Sequence, residues 1–290
     1  MNYGADEQLE LLSQLLSDEQ FGQGAPHIQQ GPQESSKGEY PSRLQDQTPV
    51  STPDITSLIE TRPDPNRERR KGVPEVVFAE TKEDAQILAM AQGLLTESGR
   101  AIISRMRPES IPVMKEVFHD YAVRMREASR AMVIYVPGYV RQSTGGHVGV
   151  ISAGTSDIPV AEEAALIAEE MGCRVTTIYD VGVAGLHRLI GPLRDLLLAE
   201  VDVIIVAAGM DGALPSVVAG LVPVPVIGLP TSIGYGMGGK GVAALLSMLQ
   251  TCAPGLSVVN IDNGVGAGST AALIANRIAQ ARRQREHQSQ

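Results

Sequence analysis

Polar residues crowd the first sixty positions of the chain, and from Arg67 onward apolar residues recur in blocks spaced for strands and helices. Residues 9–16 make one short amphipathic stretch, and a Gln/Pro/Ser/Gly-rich segment runs from there through Thr52. That composition buries too little apolar surface to offset chain entropy, so residues 1–62 are expected to be a disordered tail. A basic helix end stops at Gly72, and a short strand follows through Val77. Within residues 82–98, Ile87, Leu88, Ala91, Leu94 and Leu95 recur at helical spacing and share one face. Residues 101–104 and 131–136 are apolar runs of strand length, and residues 137–146 form a loop. Residues 63–146 are therefore expected to make a small α/β unit.

Past Gly146 the pattern is a strict alternation. Strands are predicted at 147–153, 174–179, 201–207, 225–229 and 256–261, and helices at 159–171, 186–199, 213–221, 239–252 and 268–283. Almost uniformly apolar strands alternating with helices mean a parallel sheet covered on both faces. The fold class is α/β: a three-layer parallel sheet of the flavodoxin or Rossmann kind over residues 147–290. Ligands of such sheets bind outside the carboxyl ends of the strands.

Composition narrows the picture. Hydrophobic residues make up 43% and charged residues 20% of 290 positions, with no Trp and three Phe, as expected of a soluble parallel α/β core. A net charge of −9 argues against a nucleic-acid partner. Two cysteines, Cys173 and Cys252, cannot build a disulfide framework, and no metal-ligand spacing surrounds them. A cytoplasmic setting follows, with no signal peptide visible. No membrane partner is expected either, because Asp211 and several Pro and Gly residues break the most apolar region, 201–230.

Candidate chemistry collects at the predicted strand ends. The first strand ends in Gly154-Thr155-Ser156-Asp157-Ile158-Pro159, where Ser156 or Asp157 either caps the next helix or cradles a phosphate or ribose. Asp180 ends the second strand, with His187 and Arg188 opening the following helix; Arg188 is a candidate phosphate contact. After the third strand come Gly209 and Asp211, the latter an N-cap or a proton carrier beside a pocket. The glycine run 234–239, with Tyr235, has the flexibility of a lid. Near the C-terminus, Cys252 precedes a polar, glycine-dense turn containing Asn260, Asp262, Asn263, Gly264, Gly266 and Gly268. Such a turn lets backbone N–H groups approach an anion, and a cysteine folded back toward it could act as nucleophile. Cys173 lies away from that edge and reads as structural.

These motifs resemble those of known proteins. The Gly-Thr-Ser-Asp-Ile-Pro turn, His187-Arg188, Ala207-Ala208-Gly209 with Leu214-Pro215, and Pro225-Val226-Ile227-Gly228 are similar, in order, to the PurE class of aminoimidazole ribonucleotide carboxylases and mutases. Residues 70–76, 179–188 and 260–268, with Cys252, resemble more closely the LarB family of nickel-pincer nucleotide biosynthesis, from about Arg67 to Ile278. The resemblance implies a PurE-like catalytic domain at 147–290 that carboxylates the pyridinium ring of nicotinic acid adenine dinucleotide and cleaves its phosphoanhydride, releasing AMP. It implies Cys252 as covalent nucleophile, His187 near the carboxylation centre, and Ser156 and Asp157 in the nucleotide-binding turn. Asp211 stands where the family more often has Glu. The partners implied are the dinucleotide and carbon dioxide or bicarbonate, with Mg2+ accompanying the substrate phosphates and its protein ligands unknown. A homo-oligomer is also implied, the octamer of the PurE class being one form, and Ala271, Ala272, Leu273, Ala275 and Ile278 offer a packing face for it. The competing readings are a PurE-type carboxylase or mutase and a non-enzymatic nucleotide-binding scaffold.

Overall fold

The computed structural model describes residues 62–288, so the expected tail lies outside the described residues. The first sheet contains β1 (Val76–Phe78), β2 (Arg100–Ser104), β3 (Ala122–Arg126) and β4 (Ala131–Tyr135), in the order β1-β2-β4-β3. β1 is parallel to β2, and the other pairs are antiparallel. Helix α1 (Arg67–Lys71) precedes it and ends at Gly72, whose φ of 71° is the left-handed cap conformation. Helices α2 (Asp84–Ser98) and α3 (Ser110–Val117) cover one face. Both α3 and β3 are additions to the pattern-based reading.

The second sheet contains β5 (His147–Ser152), β6 (Arg174–Ile178), β7 (Val203–Ala208), β8 (Val226–Pro230) and β9 (Leu256–Val258). The order is β6-β5-β7-β8-β9, and every pair is parallel. Its helices are α4 (Ile158–Glu170), α5 (His187–Leu198), α6 (Leu214–Leu221), α7 (Val242–Leu249) and α8 (Gly264–Gln288). β9 stops at Val258, short of the expected Ile261, because residues 260–263 turn away into α8. No helix among the described residues is long and apolar enough to cross a membrane.

Strand alternation divides the core. Val148, Val150, Val203 and Ile205 face α4 and α8, while Ile151, Ile204 and Val206 face α5, α6 and α7. The α4–α8 layer also packs against Val76, Ile102, Ala131 and Val133 of the first sheet. Two sheets therefore share one helical layer, and the first sheet is more than an appendage.

The composition of α4 explains that sharing. Its Ala161, Ala164, Ala165 and Ala168 are buried, and Gly268 of α8 comes so close that an added Cβ would lie 2.3 Å from the Ala164 carbonyl oxygen. Its glutamates meet arginines of the first unit. Glu162 accepts from Arg126 at 2.7 Å, Glu169 from Arg124 at 2.5 Å and Glu170 from Arg100 at 3.1 Å. Buried charges survive because they are paired. Ala271, Ala272 and Ala275, expected to face another subunit, are instead buried in the core shared with α4. That correction follows from the glycines of α8, which let small residues pack within the chain.

Candidate functional site

The carboxyl ends of the second sheet's strands are drawn together around Asp157. Its side chain is buried; one oxygen accepts from the Gly154 N–H at 2.9 Å and the other from the Thr231 hydroxyl at 2.6 Å. The Gly209 backbone also hydrogen-bonds to it. One carboxylate thus clamps the turns after β5, β7 and β8. Burial pushes its pKa above the ordinary carboxylate value, against the lowering effect of these hydrogen bonds. Gly209 is required by this crowding, since a Cβ there would lie 2.3 Å from the Ile233 carbonyl oxygen.

Asp262 does a similar job beyond β9. Its Oδ1 accepts from the Ser232 N–H at 2.8 Å, and its φ is 55°. Its carbonyl accepts from Arg105, which follows β2 of the first unit. Arg105 also meets Glu163 of α4 in two bonds of 3.0 Å each.

Between these turns and the first unit lies an open cavity of about 190 Å³. The second unit contributes Ser156, Pro159, Val160, Glu163, Ser232, Ile233 and Asp262; the first contributes Glu80, Arg105 and residues 128–130. Arg105 and Arg130 both hold positive φ, 54° and 50°. Non-glycine residues in that region store about 1 kcal/mol or more and gather at functional sites. The Arg130 carbonyl accepts from the Met106 N–H at 2.9 Å, which fixes the two arginine-bearing turns beside each other.

Of the residues singled out from sequence, Ser156 and Asp262 line this cavity, and Asp157 with Gly154 and Gly209 builds the floor that positions them. The rest lie elsewhere. Arg188 is paired with Asp180 at 3.0 Å, and Asp180 donates its N–H to the Ser152 hydroxyl at 3.2 Å. His187 is exposed at the start of α5. Asp211, read as an N-cap or a proton carrier beside a pocket, is exposed and accepts from the Ala213 N–H at 3.4 Å, a local turn contact, while no side chain caps α6. Asn260 accepts from its neighbour Ile261 N–H, and Asn263 accepts from the Gly266 N–H at 2.8 Å, capping α8. Gly264 is buried where a Cβ would lie 2.6 Å from Glu163, so it serves close packing and not ligand approach. The loop 234–239 is exposed, with Tyr235 83% and Met237 101% accessible.

Cys252 requires the largest correction. Expected at the carboxyl edge, it is exposed at the opposite, amino edge, between α7 and the start of β9. The reason is topological. A helix joining two parallel strands runs back against them, so its C-terminus returns to the edge where strands begin. The neighbouring Gly255 carbonyl accepts from the N–H of Val226, the first residue of β8. Cys173 is buried, its thiol donates to Asn276 at 3.2 Å, and burial pushes its pKa up to about 11.

Sequence reasoning missed the first unit's contribution of Glu80, Arg105, Ser129 and Arg130. The signal present was the alternation Val123-Arg124-Met125-Arg126 next to the apolar run at 131, a hairpin whose turn carries Ser129 and Arg130.

A parallel second sheet with an open cavity at its carboxyl edge, completed by a smaller mixed sheet, defines the class. Residues 147–289 match the AIR carboxylase family model, which makes this unit a PurE-superfamily domain of the carboxylase and mutase class. Residues 55–136 match the LarB/PurE-like N-terminal domain, and the chain belongs to the LarB family, with a PurE-like C-terminal domain. It is 44% identical over 215 residues to an uncharacterized protein of Methanocaldococcus jannaschii, covering 73% of this chain and 82% of that one. It is 37% identical over 139 residues to the N5-carboxyaminoimidazole ribonucleotide mutase of Pyrococcus horikoshii, covering 45% of this chain and 71% of the mutase. A mutase of the same name from Methanocaldococcus jannaschii is 34% identical over 130 residues, covering 44% and 76%.

Proposed function

We propose that this protein carboxylates carbon 5 of the pyridinium ring of nicotinic acid adenine dinucleotide and hydrolyses its phosphoanhydride, giving pyridinium-3,5-biscarboxylic acid mononucleotide and AMP. The observation that carries the reading is the cavity itself, walled on one side by a PurE-superfamily sheet edge and on the other by Arg105 and Arg130 of a LarB-type unit. A mononucleotide substrate needs only the sheet edge; a dinucleotide has a second phosphate and nucleoside for the added wall. The Arg105 fork is engaged by Glu163, so phosphate oxygens fall to Arg130, whose planar fork of donors suits them.

The chemistry asks for a nucleophile. An electron-poor pyridinium cannot attack carbon dioxide. When the Cys252 thiolate adds at a carbon next to carbon 5, a C–S bond forms and the ring nitrogen takes up the electron pair. Carbon 5 is then an enamine carbon, which bonds to carbon dioxide. A base removes the proton from carbon 5, the C–S bond breaks, the thiolate leaves and aromaticity returns. In the separate hydrolysis, water adds at phosphorus and the bridging oxygen departs with AMP.

Among the described residues no three His, Cys, Asp or Glu side chains are grouped to hold a metal ion. Of the three cavity carboxylates, Glu163 is engaged by Arg105 and Asp262 by the Ser232 N–H, and Glu80 lies 4.0 Å from Arg105. This donor set does not fit a resident metal, and magnesium enters the proposal only as the counter-ion of the substrate phosphates.

The test is mass spectrometry of products from the dinucleotide, magnesium and carbon-13 bicarbonate. The expected result is a labelled ring carboxylate together with AMP, with product falling at least a hundredfold in Cys252→Ser. Product from aminoimidazole ribonucleotide alone would assign the chain to the PurE reaction, and near-normal product from Cys252→Ser would overturn the covalent route.

A further inference from the structure

Residues 234–240 form a loop pinned at both ends beside the cavity that Ser232 and Ile233 line. At its start, the Ile233 carbonyl accepts from the Met210 N–H at 2.8 Å. At its end, Gly241 packs so closely that an added Cβ would lie 2.8 Å from the Thr231 carbonyl oxygen. The loop's backbone hydrogen bonds stay within it and the first residue of α7: Gly238 N–H to the Tyr235 carbonyl at 3.4 Å, and Val242 N–H to the Gly239 carbonyl at 3.1 Å. A Cβ at Gly236 or Gly238 would meet nothing within 4 Å. Backbone without packing partners opens at low cost, so a loop held only at its ends can swing as a flap.

The flap and its root add an apolar surface to a polar cavity. Tyr235 is exposed, and Ile233 and Met210 at the root are 40% and 43% exposed. The Met210 sulfur lies 3.6 Å from where a Cβ on Gly234 would sit. Met210 also holds a φ of 51°, a left-handed conformation that non-glycine residues keep mainly where a site demands it. None of the residues lining the cavity is aromatic. The Phe78 ring, beyond Arg105, is already faced by that guanidinium at 5.7 Å. Tyr235 lies two positions past Ile233, at most about 7 Å along the chain, so its ring can turn over the cavity mouth.

We propose that Ile233, Met210 and Tyr235 form the subsite for a planar, positively charged aromatic ring. With phosphate oxygens held on the Arg130 side, the flap closes and lays the Tyr235 ring on the pyridinium. The inference rests on the reading of a pyridinium dinucleotide as substrate, and it says which end of that substrate lies where. An aromatic face carries partial negative charge and attracts a cation set over it, while Ile233 and Met210 supply an apolar, polarizable surround. The adenine end, uncharged at neutral pH, lacks that attraction. Addition of a thiolate removes the positive charge of the pyridinium, so stacking is stronger on the substrate than on the adduct. Tyr235 is therefore a substrate-binding residue, whose loss raises KM and leaves kcat unchanged or slightly raised.

The chain contains no Trp, so Tyr235→Trp places its sole indole on the flap. Titration of this full-length variant with nicotinic acid adenine dinucleotide, or with nicotinic acid mononucleotide, is expected to quench the fluorescence saturably. AMP is expected to leave it unchanged. The control is Val140→Trp, Val140 being 71% exposed on the loop that leads into β5; it should show only the unsaturable quenching of free collision. In steady-state assays Tyr235→Ala is expected to raise KM for the dinucleotide about tenfold, and Tyr235→Phe to stay near wild type. Dinucleotide bound in equilibrium dialysis without quenching of Tyr235→Trp overturns the flap, and equal quenching by AMP overturns the pyridinium placement. Tyr235→Phe as impaired as Tyr235→Ala overturns stacking in favour of the hydroxyl. Dinucleotide that fails to bind wild type defeats the carboxylation reading and the ring assignment together. Quenching by both pyridinium ligands in a protein that makes no carboxylated product keeps the subsite and defeats the reaction alone.

Discussion

Arg105 and Glu163 meet fork to fork, Nε to Oε1 and Nη2 to Oε2, each at 3.0 Å, and join the first unit to α4 at the cavity wall. The Glu163 side chain is 3% exposed and also accepts from the Ser104 hydroxyl, so its charge is neutralised almost wholly by protein. The Arg105 guanidinium lies 5.7 Å from the centre of the Phe78 ring.

Arg105→Ala leaves a buried carboxylate without its cation, a loss of about 3 kcal/mol. Arg105→Lys keeps the charge and loses the planar fork, so it is expected to fall between wild type and alanine. Urea unfolding measures both. An alanine variant within about 0.5 kcal/mol of wild type would show that the pair does not join the units.

Gly268 is the second structural test. A methyl group there meets the Ala164 carbonyl oxygen at 2.3 Å, backbone that cannot step aside, so α8 must shift from α4. Gly268→Ala is expected to cost about 2–3 kcal/mol despite the better helix propensity of alanine. A melting temperature equal to or above that of wild type refutes the close-packing role.

Much of the second sheet was legible because fully buried parallel strands such as Val203–Ala208 are continuous apolar runs between helical periods. β3 was not, because its arginines read as solvent-facing until their partners Glu162 and Glu169, some forty positions away, are brought beside them. The site was legible in part for the same reason. The turn holding Ser156 and Asp157 is local, whereas the pairing of Ser156 with Arg105 across one cavity is a property of how two sheets share a helical layer. The edge occupied by Cys252 was deducible from the direction of α7, which counting residues from the next turn does not reveal. Gly264 and Gly268 gave the same signal that a ligand-binding turn gives, and only the proximity of α4 distinguishes packing from ligand approach.

Asp157 makes stability depend on pH in a stated direction. Its folded pKa is raised above the ordinary 3.8 chiefly by burial, so in the folded state it holds its proton to higher pH than in the unfolded chain. Its contribution therefore weakens as pH rises from about 3.8 through the raised value, and stays reduced above it. Asp157→Asn removes that titration while still offering a carbonyl oxygen to Gly154, with Thr231 able to turn its hydroxyl to accept. Unfolding free energies measured at steps upward from acid pH are expected to fall more steeply for wild type than for the variant. Parallel curves would show that the buried carboxylate does not titrate differently on folding.

The two cysteines are expected to differ sharply toward alkylating reagents. Cys173 is buried, bonded to Asn276, and with a pKa near 11 holds about one thiolate per ten thousand molecules at pH 7. Cys252 is exposed and free of that burial. Brief iodoacetamide treatment of native protein followed by peptide mass spectrometry should therefore label Cys252 alone, and Cys173 only after denaturation. The proposed reaction adds the Cys252 thiolate to the bound ring, so dinucleotide is expected to slow its labelling several-fold. Cys173→Ser keeps a hydroxyl to donate to Asn276 and is expected to retain near-normal turnover. Labelling of Cys252 at the same rate with and without dinucleotide would separate this thiol from the site.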